Sequence, residues 1–255
     1  MAGNSQILRF ERFVVERSVY PAKAYMPPHT DKLSRISIIL DGQLQENSGA
    51  KEVTASAGSL VIKPNHVVHE NIFGNKPVHS LSISFHDDML MTNNFNQWQW
   101  IDHPKVNVIG IKLWTEMRQA KTEKAVMNSF HDFFSALTLL KYDADGKPAG
   151  WHEQLKTLLE KDLSSPETIE LLSQKLSLHR VYVARAFKNK YGVSPVDFRK
   201  YTRIAAAILD LSLTHKALAA IAFDAGFSDQ SHMNREFRQH VGCTPAIFRK
   251  MVNAD

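Results

Sequence analysis

The sequence has a single cysteine, Cys243, among its 255 residues, so a disulfide framework is excluded. A lone cysteine in a helical stretch is more typical of packing than of a nucleophile. The chain has no apolar run of about 18 residues, so no transmembrane helix is expected. Its opening stretch carries charges and no apolar core, so no signal peptide is predicted. We therefore expect a cytoplasmic protein.

Charge is present in modest excess and is unevenly distributed. Residues 151–255 hold 15 Lys and Arg against 11 Asp and Glu, whereas the first 150 residues hold 16 against 15. A basic excess in the C-terminal part favours a polyanionic partner without establishing one. Hydrophobic residues make up 44% of the chain, so packed cores are expected and extensive disorder is not.

The pattern of apolar residues divides the chain into a strand-rich part and a helical part. Between residues 8 and 90, short β-branched and apolar runs are separated by Asp41-Gly42, Ser48-Gly49 and Pro64-Asn65, which are turn signals. The runs predicted as strands are Phe13–Tyr20, Ile36–Leu40, Leu60–Ile62 and Leu81–Phe85. Many short strands with tight turns indicate a small barrel or sandwich.

Helical spacing follows from about residue 112 to residue 140, and again after a polar segment containing Gly and Pro. The predicted fold class is therefore α+β, with an N-terminal barrel that carries a helical extension and a C-terminal all-α domain. We predict a first domain over residues 1–142, a linker over 143–150 and a second domain over 151–255.

The C-terminal region repeats itself at a spacing of 50 residues. Residues 185–200 and 235–250 are identical at seven of 16 positions without a gap. The identical pairs are Arg185/Arg235, Phe187/Phe237, Gly192/Gly242, Pro195/Pro245, Phe198/Phe248, Arg199/Arg249 and Lys200/Lys250. Agreement of this kind indicates one supersecondary unit that occurs twice.

Each copy is predicted to be a pair of helices joined by a tight turn, which is a helix-turn-helix. In the first copy, Ser165 is the predicted N-cap of one helix, and a second helix runs from about His179 to Gly192. In the second copy, helices are predicted at Lys216–Ala225 and from the N-cap Ser228 to about Val241, with Gly226 in the turn.

The outward faces of the two second helices carry side chains that suit DNA. Arginine can bind guanine through two hydrogen bonds, Gln and Asn suit adenine, and small apolar groups can contact the thymine methyl. Lys188 and Arg238 are predicted to contact phosphates. The predicted DNA-contacting residues are Arg180, Val181, Ala184, Arg185 and Lys188 in the first copy and Gln230, Ser231, Asn234, Arg235 and Arg238 in the second.

The segments Ser177–Gly192 and Ala217–Arg249, with the run IAFDAGFSDQSHMNREF followed by GCTP, resemble the DNA-binding domain of AraC/XylS-type transcription regulators. The resemblance covers about 40% of the chain. It implies two helix-turn-helix units joined by a long helix, about Asp197–Leu211, that read successive major grooves about 34 Å apart. Leu172 departs from the small alanine that the family usually has there.

Residues 12–90 resemble, more weakly, the cupin-like sensor domain of the same family, through Gly58, Pro64 and His69. This resemblance implies a barrel cavity for a small-molecule effector, with His29, Arg35, His66 and His69 as candidate binding residues. The same histidines with Glu70 are potential metal ligands, but the ligand motif is incomplete. Neither a metal nor another cofactor is expected.

The apolar stripe Val126–Leu140 allows two interpretations, because it can pack on its own barrel or form a homodimer face. Trp98 and Trp100, near Trp114, are predicted core residues at this junction. The partners expected are double-stranded promoter DNA, a small-molecule effector, a second copy of the chain and RNA polymerase. The favoured hypothesis is a ligand-responsive, non-enzymatic regulator. Its alternatives are a cupin metalloenzyme fused to a DNA-binding domain and a sequence-independent architectural DNA binder.

Overall fold

The computed structural model describes residues 3–86, 97–139, 150–161, 163, 173–174 and 177–253. The N-terminal part is built from ten antiparallel strands. They are β1 Gly3–Arg9, β2 Phe13–Tyr20, β3 Tyr25–His29, β4 Ser34–Asp41, β5 Gln43–Ser48, β6 Lys51–Ser56, β7 Leu60–Lys63, β8 His69–Phe73, β9 Val78–Phe85 and β10 Gln99–Ile101. All four predicted strands are confirmed, as β2, β4, β7 and β9.

The strands form two sheets that enclose a narrow cavity. A six-stranded sheet has the order β1-β2-β9-β4-β7-β10, and a four-stranded sheet has the order β3-β8-β5-β6. The two faces of strand β4 belong to two different hydrophobic cores. Ile36 and Ile38 pack against the helices, whereas Ile39 packs toward the four-stranded sheet. A strand buried on both faces reads as a nearly continuous apolar run, as Ile36–Leu40 does except at Ser37.

Eight helices are described. They are α1 Pro104–Gln119, α2 Glu123–Leu139, α3 Gly150–Lys161, α4 Arg180–Tyr191, α5 Pro195–Leu213, α6 Leu218–Asp224, α7 Gln230–Val241 and α8 Pro245–Asn253. The predicted helical extension is confirmed, but it begins at residue 104 rather than about 112 and consists of two helices. None of the helices described here is long and apolar enough to traverse a lipid bilayer.

The apolar stripe on α2 packs on the barrel of its own chain. Val126, Phe130 and Phe134 are fully buried, and the Phe130 ring lies 5.2 Å from that of Phe13 and 4.8 Å from that of Phe85. These side chains are therefore not available as a homodimer face, and the second interpretation of the stripe is wrong for them. Leu140 lies outside the described residues.

The internal repeat is visible as a repeated structure. Helices α4 and α7 each have 12 residues and begin 50 residues apart. Gly192 and Gly242 end them in the left-handed conformation, with φ of 69° and 86°, which glycine adopts without steric cost. Helices α5 and α8 then start at the equivalent prolines, Pro195 and Pro245.

Several predicted boundaries need correction. The N-cap of α7 is Asp229, whose carboxylate accepts a bond from the His232 N–H at 2.7 Å, and not Ser228. The first helix of the second copy is shorter than predicted, and the long helix is longer, at Pro195–Leu213. Gly150 already belongs to α3. Residues 143–149 of the predicted linker lie outside the described residues, and so do Ser165 and Leu172.

Helix α1 lies directly on the six-stranded sheet at Gly110. A Cβ added there would be 2.5 Å from Leu60 Cδ1 and 3.1 Å from Ile38 Cδ1, and both of these side chains are buried. We expect Gly110→Ala to lower the free energy of unfolding by about 1–3 kcal/mol, because overpacking outweighs the gain in helix propensity. Urea denaturation measures this.

Gly150→Ala is the matched control, because nothing lies within 4 Å of the added Cβ at the start of α3. It should not lower stability. Equal stability of the Gly110→Ala variant and the unmodified protein would contradict the close approach of α1 to the sheet.

Candidate nucleic-acid interface and candidate ligand cavity

Helices α4 and α7 bury one face and expose the other, in register with the repeat. Val183 and Phe187 are fully buried in α4, and the equivalent Met233 and Phe237 are fully buried in α7. Eight of the ten predicted DNA-contacting side chains are exposed, and the remaining two, Ala184 and Asn234, are half-buried at equivalent positions. The structure therefore brings the predicted residues of each copy onto one outward face.

The cations on these faces differ from those elsewhere in the domain. Lys200 pairs with Asp197 at 3.0 Å, and Lys216 pairs with Asp224 at 2.7 Å. Within the described part of the chain, by contrast, no ion pair is formed by Arg185, Lys188, Arg235 or Arg238. Their charges are therefore available to an external anion. Such contacts to phosphate and to guanine are what a groove-binding helix requires.

The second candidate site is a cavity of about 50 Å³ between the two sheets of the barrel. Three of the four predicted effector-binding residues line it, namely His29, Arg35 and His69. His66 does not, because it lies exposed on the turn after β7, so its assignment is corrected. Trp100 lines the cavity, whereas Trp98 and Trp114 are buried as predicted.

The centre of the cavity is an ionic cluster around Lys63, which the sequence did not single out. Its Nζ lies 2.7 Å from His69 Nε2, 3.4 Å from Asp31 Oδ2 and 3.5 Å from Glu46 Oε2. Glu46 also accepts a hydrogen bond from Trp98 Nε1. Burial and the Lys63 charge lower the pKa of His69, so its neutral Nε2 accepts a hydrogen bond from the ammonium.

This cluster also decides how well the site suits a metal. The ligand atoms of His29, Asp31 and His69 lie within 4.8 Å of one another, as a cation site would require. However, the Lys63 ammonium is already bonded to the His69 nitrogen and the Asp31 carboxylate. Burial opposes ionisation of Asp31, but Lys63 and Arg35 together hold its pKa below the usual value. A divalent cation would have to displace a buried positive charge, so these residues do not fit a metal.

Apart from Asp31 Oδ2 and Arg35 Nε, whose groups form ion pairs, two buried polar atoms of the cavity residues have no hydrogen-bond partner among the described residues. They are Asn71 Oδ1 and Trp100 Nε1. The first can only accept a hydrogen bond and the second can only donate one. Buried polar atoms are normally paired, by protein or by water, so this pair marks where a polar molecule is expected. Neither residue could be found from sequence, because their proximity depends on the pairing of β8 and β10 with other strands.

The junction between the barrel and the helical domain contains a buried histidine, His103. Its Nε2–H donates to the Tyr191 carbonyl oxygen at 2.9 Å, and its Nδ1 accepts from the Lys105 N–H at 3.2 Å, which caps α1. Burial lowers the pKa of His103 to about 4, although the bond to Tyr191 opposes the shift. The neutral imidazole therefore joins the two parts of the chain.

The comparisons with known proteins agree with the repeated helical pairs. A family model described as a helix-turn-helix domain matches residues 172–251. The HTH-type transcriptional regulator MtrA of Neisseria gonorrhoeae is 25% identical over 162 residues, which cover 59% of this chain and 54% of MtrA. The uncharacterized HTH-type transcriptional regulator YisR of Bacillus subtilis is 30% identical over 95 residues, covering 37% of this chain and 33% of YisR.

Among solved structures, ToxT from Vibrio cholerae O395 aligns with 96% of this chain and 100% of its own, at a TM-score of 0.42 and 12% identity. The chain spans about half the length of MtrA and a third of that of YisR. The family match confirms the predicted helix-turn-helix domain over residues 172–251.

The burial of His103 predicts a specific dependence of stability on pH. Unfolded histidine binds a proton near pH 6.5, whereas folded His103 does so only near pH 4. The unfolded state therefore binds more protons between these values. The contribution of the neutral, buried His103 to the free energy of unfolding is complete above pH 6.5 and is lost as the pH falls to about 4.

His103→Phe keeps the ring and its edge contact with Phe198, which has a centroid distance of 5.8 Å, but it does not titrate. Between pH 7 and 4, the unmodified protein should lose on the order of 3 kcal/mol more unfolding free energy than the variant. Urea denaturation across this range measures the difference, and the other histidines cancel in the comparison. Parallel pH profiles would show that His103 is not buried in the neutral form.

Proposed function

We propose that the protein is a sequence-specific DNA-binding transcription regulator controlled by a small molecule bound in the barrel. The observation that carries the proposal is the pair of repeat-equivalent helices, α4 and α7, which expose Arg185 and Arg235 at the same position. The similarity to MtrA and YisR, both named as HTH-type transcriptional regulators, supports it and favours a non-enzymatic protein.

The two helices would read DNA by direct contact in successive major grooves. Arg185 and Arg235 would bind guanine bidentately, and the exposed Gln230 and half-buried Asn234 suit adenine. Lys188 and Arg238 lie one turn further along their helices and would bind phosphate, which fixes the register. The modest net charge of residues 151–255 argues against a binder that depends on the DNA backbone alone.

Selection of DNA from a random library with the full chain identifies the operator and tests this reading. On the selected DNA, Arg185→Ala and Arg235→Ala should each cost about 1–3 kcal/mol of binding free energy and relax specificity at one base position. Each arginine should affect a different part of the operator, because it belongs to a different unit. Binding titrations on single-base variants of the operator measure both effects.

Lys188→Ala is the matched control for a phosphate contact. It should weaken binding to operator and random DNA alike and make the salt dependence less steep. If both arginine variants also lost equal affinity for operator and random DNA, the assignment of base contacts would be refuted.

The cavity suits a small polar effector without net charge. Its cations are balanced, because Lys63 faces Asp31 and Glu46, and Arg35 lies 3.5 Å from Glu16. A ligand therefore gains more from a donor for Asn71 Oδ1 and an acceptor for Trp100 Nε1 than from a charge. At about 50 Å³, the cavity is far smaller than a typical site for a drug-sized ligand.

Ser80 lines the cavity and is 3% exposed, so a larger side chain at this position would occupy the ligand's space. We expect Ser80→Leu to abolish the response of an operator-driven reporter to small polar compounds, while affinity for operator DNA is retained. Ser129→Leu, on the half-exposed surface of α2, should leave the response intact. A Ser80→Leu protein that responded like the unmodified one would refute effector binding in this cavity.

A second copy of the chain and RNA polymerase remain predictions of the family resemblance. Val126, Phe130 and Phe134 are fully buried, so a dimer would have to use other side chains. A transcription regulator of this type acts in the cytoplasm. The chemistry of Cys243 is compatible with that location, because burial raises the pKa of its thiol to about 11 and keeps it unreactive.

A further inference from the structure

Side chains of α1 and its N-cap donate hydrogen bonds to equivalent backbone atoms of α4 and α7, the two recognition helices that would enter the major grooves. His103 Nε2 binds the carbonyl oxygen of Tyr191 at 2.9 Å, and Thr115 Oγ1 binds that of Val241 at 2.6 Å. Tyr191 and Val241 are the last residues of α4 and α7 and are equivalent in the 50-residue repeat. One helix of the barrel extension thus contacts the two helix-turn-helix units at corresponding points.

These carbonyls need an external donor. The last four carbonyl groups of a helix have no partner within it. The N–H groups of Gly192 and Gly242 bind the carbonyls of Lys188 and Arg238, one turn earlier. Thr115 is fully buried and its hydroxyl also lies 2.9 Å from the Lys112 carbonyl, but the shorter contact is the one with Val241. Each buried donor therefore holds the end of one recognition helix.

Other side chains of α1 fix it to the barrel. Asn107 Nδ2 donates to the Gly58 carbonyl at 2.6 Å, and Trp114 Nε1 donates to the Glu16 carbonyl at 3.3 Å. Gly110 brings the helix backbone into contact with Leu60, as described above. Helix α1 therefore cannot shift on the sheet without breaking buried hydrogen bonds.

The two donors lie on a rigid segment of defined length. Twelve residues separate His103 from Thr115, so they are about 18 Å apart along α1 at a rise of 1.5 Å per residue. We propose that α1 is a strut through which the barrel sets the offset between α4 and α7, with His103 and Thr115 as positioning residues. The inference rests on the proposed function, because it states how the barrel regulates the DNA-reading helices.

The ligand cavity is connected to this strut through β10. Trp100 lines the cavity and lies in β10, three residues before His103, and its buried Nε1 has no partner among the described residues. In the part of the chain that the structure describes, β10 pairs with β7 alone, through Val61 and its neighbours, at the edge of the six-stranded sheet. A ligand that binds Trp100 therefore acts on the segment that leads into α1.

The first test measures how binding depends on the spacing between the two subsites of the selected operator. The variant His103→Asn/Thr115→Val keeps an N-cap acceptor for α1 and the shape of residue 115. Valine has no donor, and the shorter asparagine places its amide N–H short of the position of His103 Nε2, so both bonds to the recognition helices are lost. Insertion of one base pair between the subsites should weaken binding of the unmodified protein about tenfold, and that of the variant less than about threefold.

The controls separate positioning from general stability. Thr138→Val removes a hydroxyl that donates to the Phe134 carbonyl within α2, away from the recognition helices, and should keep the spacing dependence. Arg185→Ala should weaken binding at every spacing and also keep the dependence. Thr115→Val alone should give a partial loss and is the informative variant if the double variant folds poorly. An unchanged spacing profile in both Thr115 variants would overturn the proposal.

The second test needs no DNA and therefore separates this inference from the proposed function. Nitroxide labels are attached at Asn189→Cys and Gln239→Cys, which are exposed and equivalent in the two units, in a Cys243→Ala background. Double electron–electron resonance should give one narrow distribution of the distance between the two labels. This distribution should broaden in His103→Asn/Thr115→Val and not in Thr138→Val. A broad distribution in the parent protein, or no change in the variant, would overturn the strut. Failure to select any DNA sequence would instead refute the proposed function.

Discussion

Helix α1 is buried on two sides, and the arrangement of the whole molecule depends on this burial. Val106, Val108 and Ile111 are fully buried, although they point in different directions around the helix. A helix with buried residues on more than one face is stable only when other elements cover each of these faces. Here the six-stranded sheet covers one side, and α5 and α7 cover another. The barrel and the DNA-binding helices therefore share a continuous core at α1.

The same principle explains the polar groups at this junction. A buried donor or acceptor must be paired, because an unpaired one loses its hydration without compensation. His103, Asn107, Thr115 and Trp114 each pair with a backbone carbonyl of another element. Since a carbonyl oxygen has a fixed position in its element, these bonds specify where α1 sits more narrowly than apolar contacts do. Apolar packing supplies the stability and the polar pairs supply the alignment.

The barrel interior contains buried charged groups that also have to be paired. Lys63 and Glu46 are almost completely buried, and such a pair is tolerated only when each group is compensated. The cluster places the Lys63 ammonium beside His69, Asp31 and Glu46. The cavity is therefore polar, and two of its unpaired atoms, Asn71 Oδ1 and Trp100 Nε1, lie outside this ionic cluster.

Much of the fold could be predicted from the sequence where local pattern and structure have the same period. The run Phe13–Tyr20 is rich in β-branched and aromatic residues, and the repeat aligns Phe187 with Phe237, so both were found. The start of α1 was missed because PKVNVIGI has buried residues on more than one face and contains proline, glycine and β-branched residues, so that it shows no helical period.

The residues that matter most at the cavity and the junction could not be predicted. Lys63, Asn71 and Trp100 meet only because β7, β8 and β10 are brought together by sheet pairing between distant segments. His103 and Thr115 find their partners 88 and 126 residues away. Asp229 was passed over as an N-cap in favour of its neighbour Ser228, a choice between two good caps that only the backbone conformation decides.

The atoms that α1 holds in the two helix-turn-helix units belong to the main chain. Tyr191 and Val241 have unrelated side chains, yet each offers the same oxygen at the same place. A mutation at either position would leave that acceptor intact as long as the helix end kept its shape. The hydrogen bonds from α1 can thus persist while the sequences of the two units diverge. The base-contacting residues can then change the DNA sequence they bind without any change in the contacts to α1.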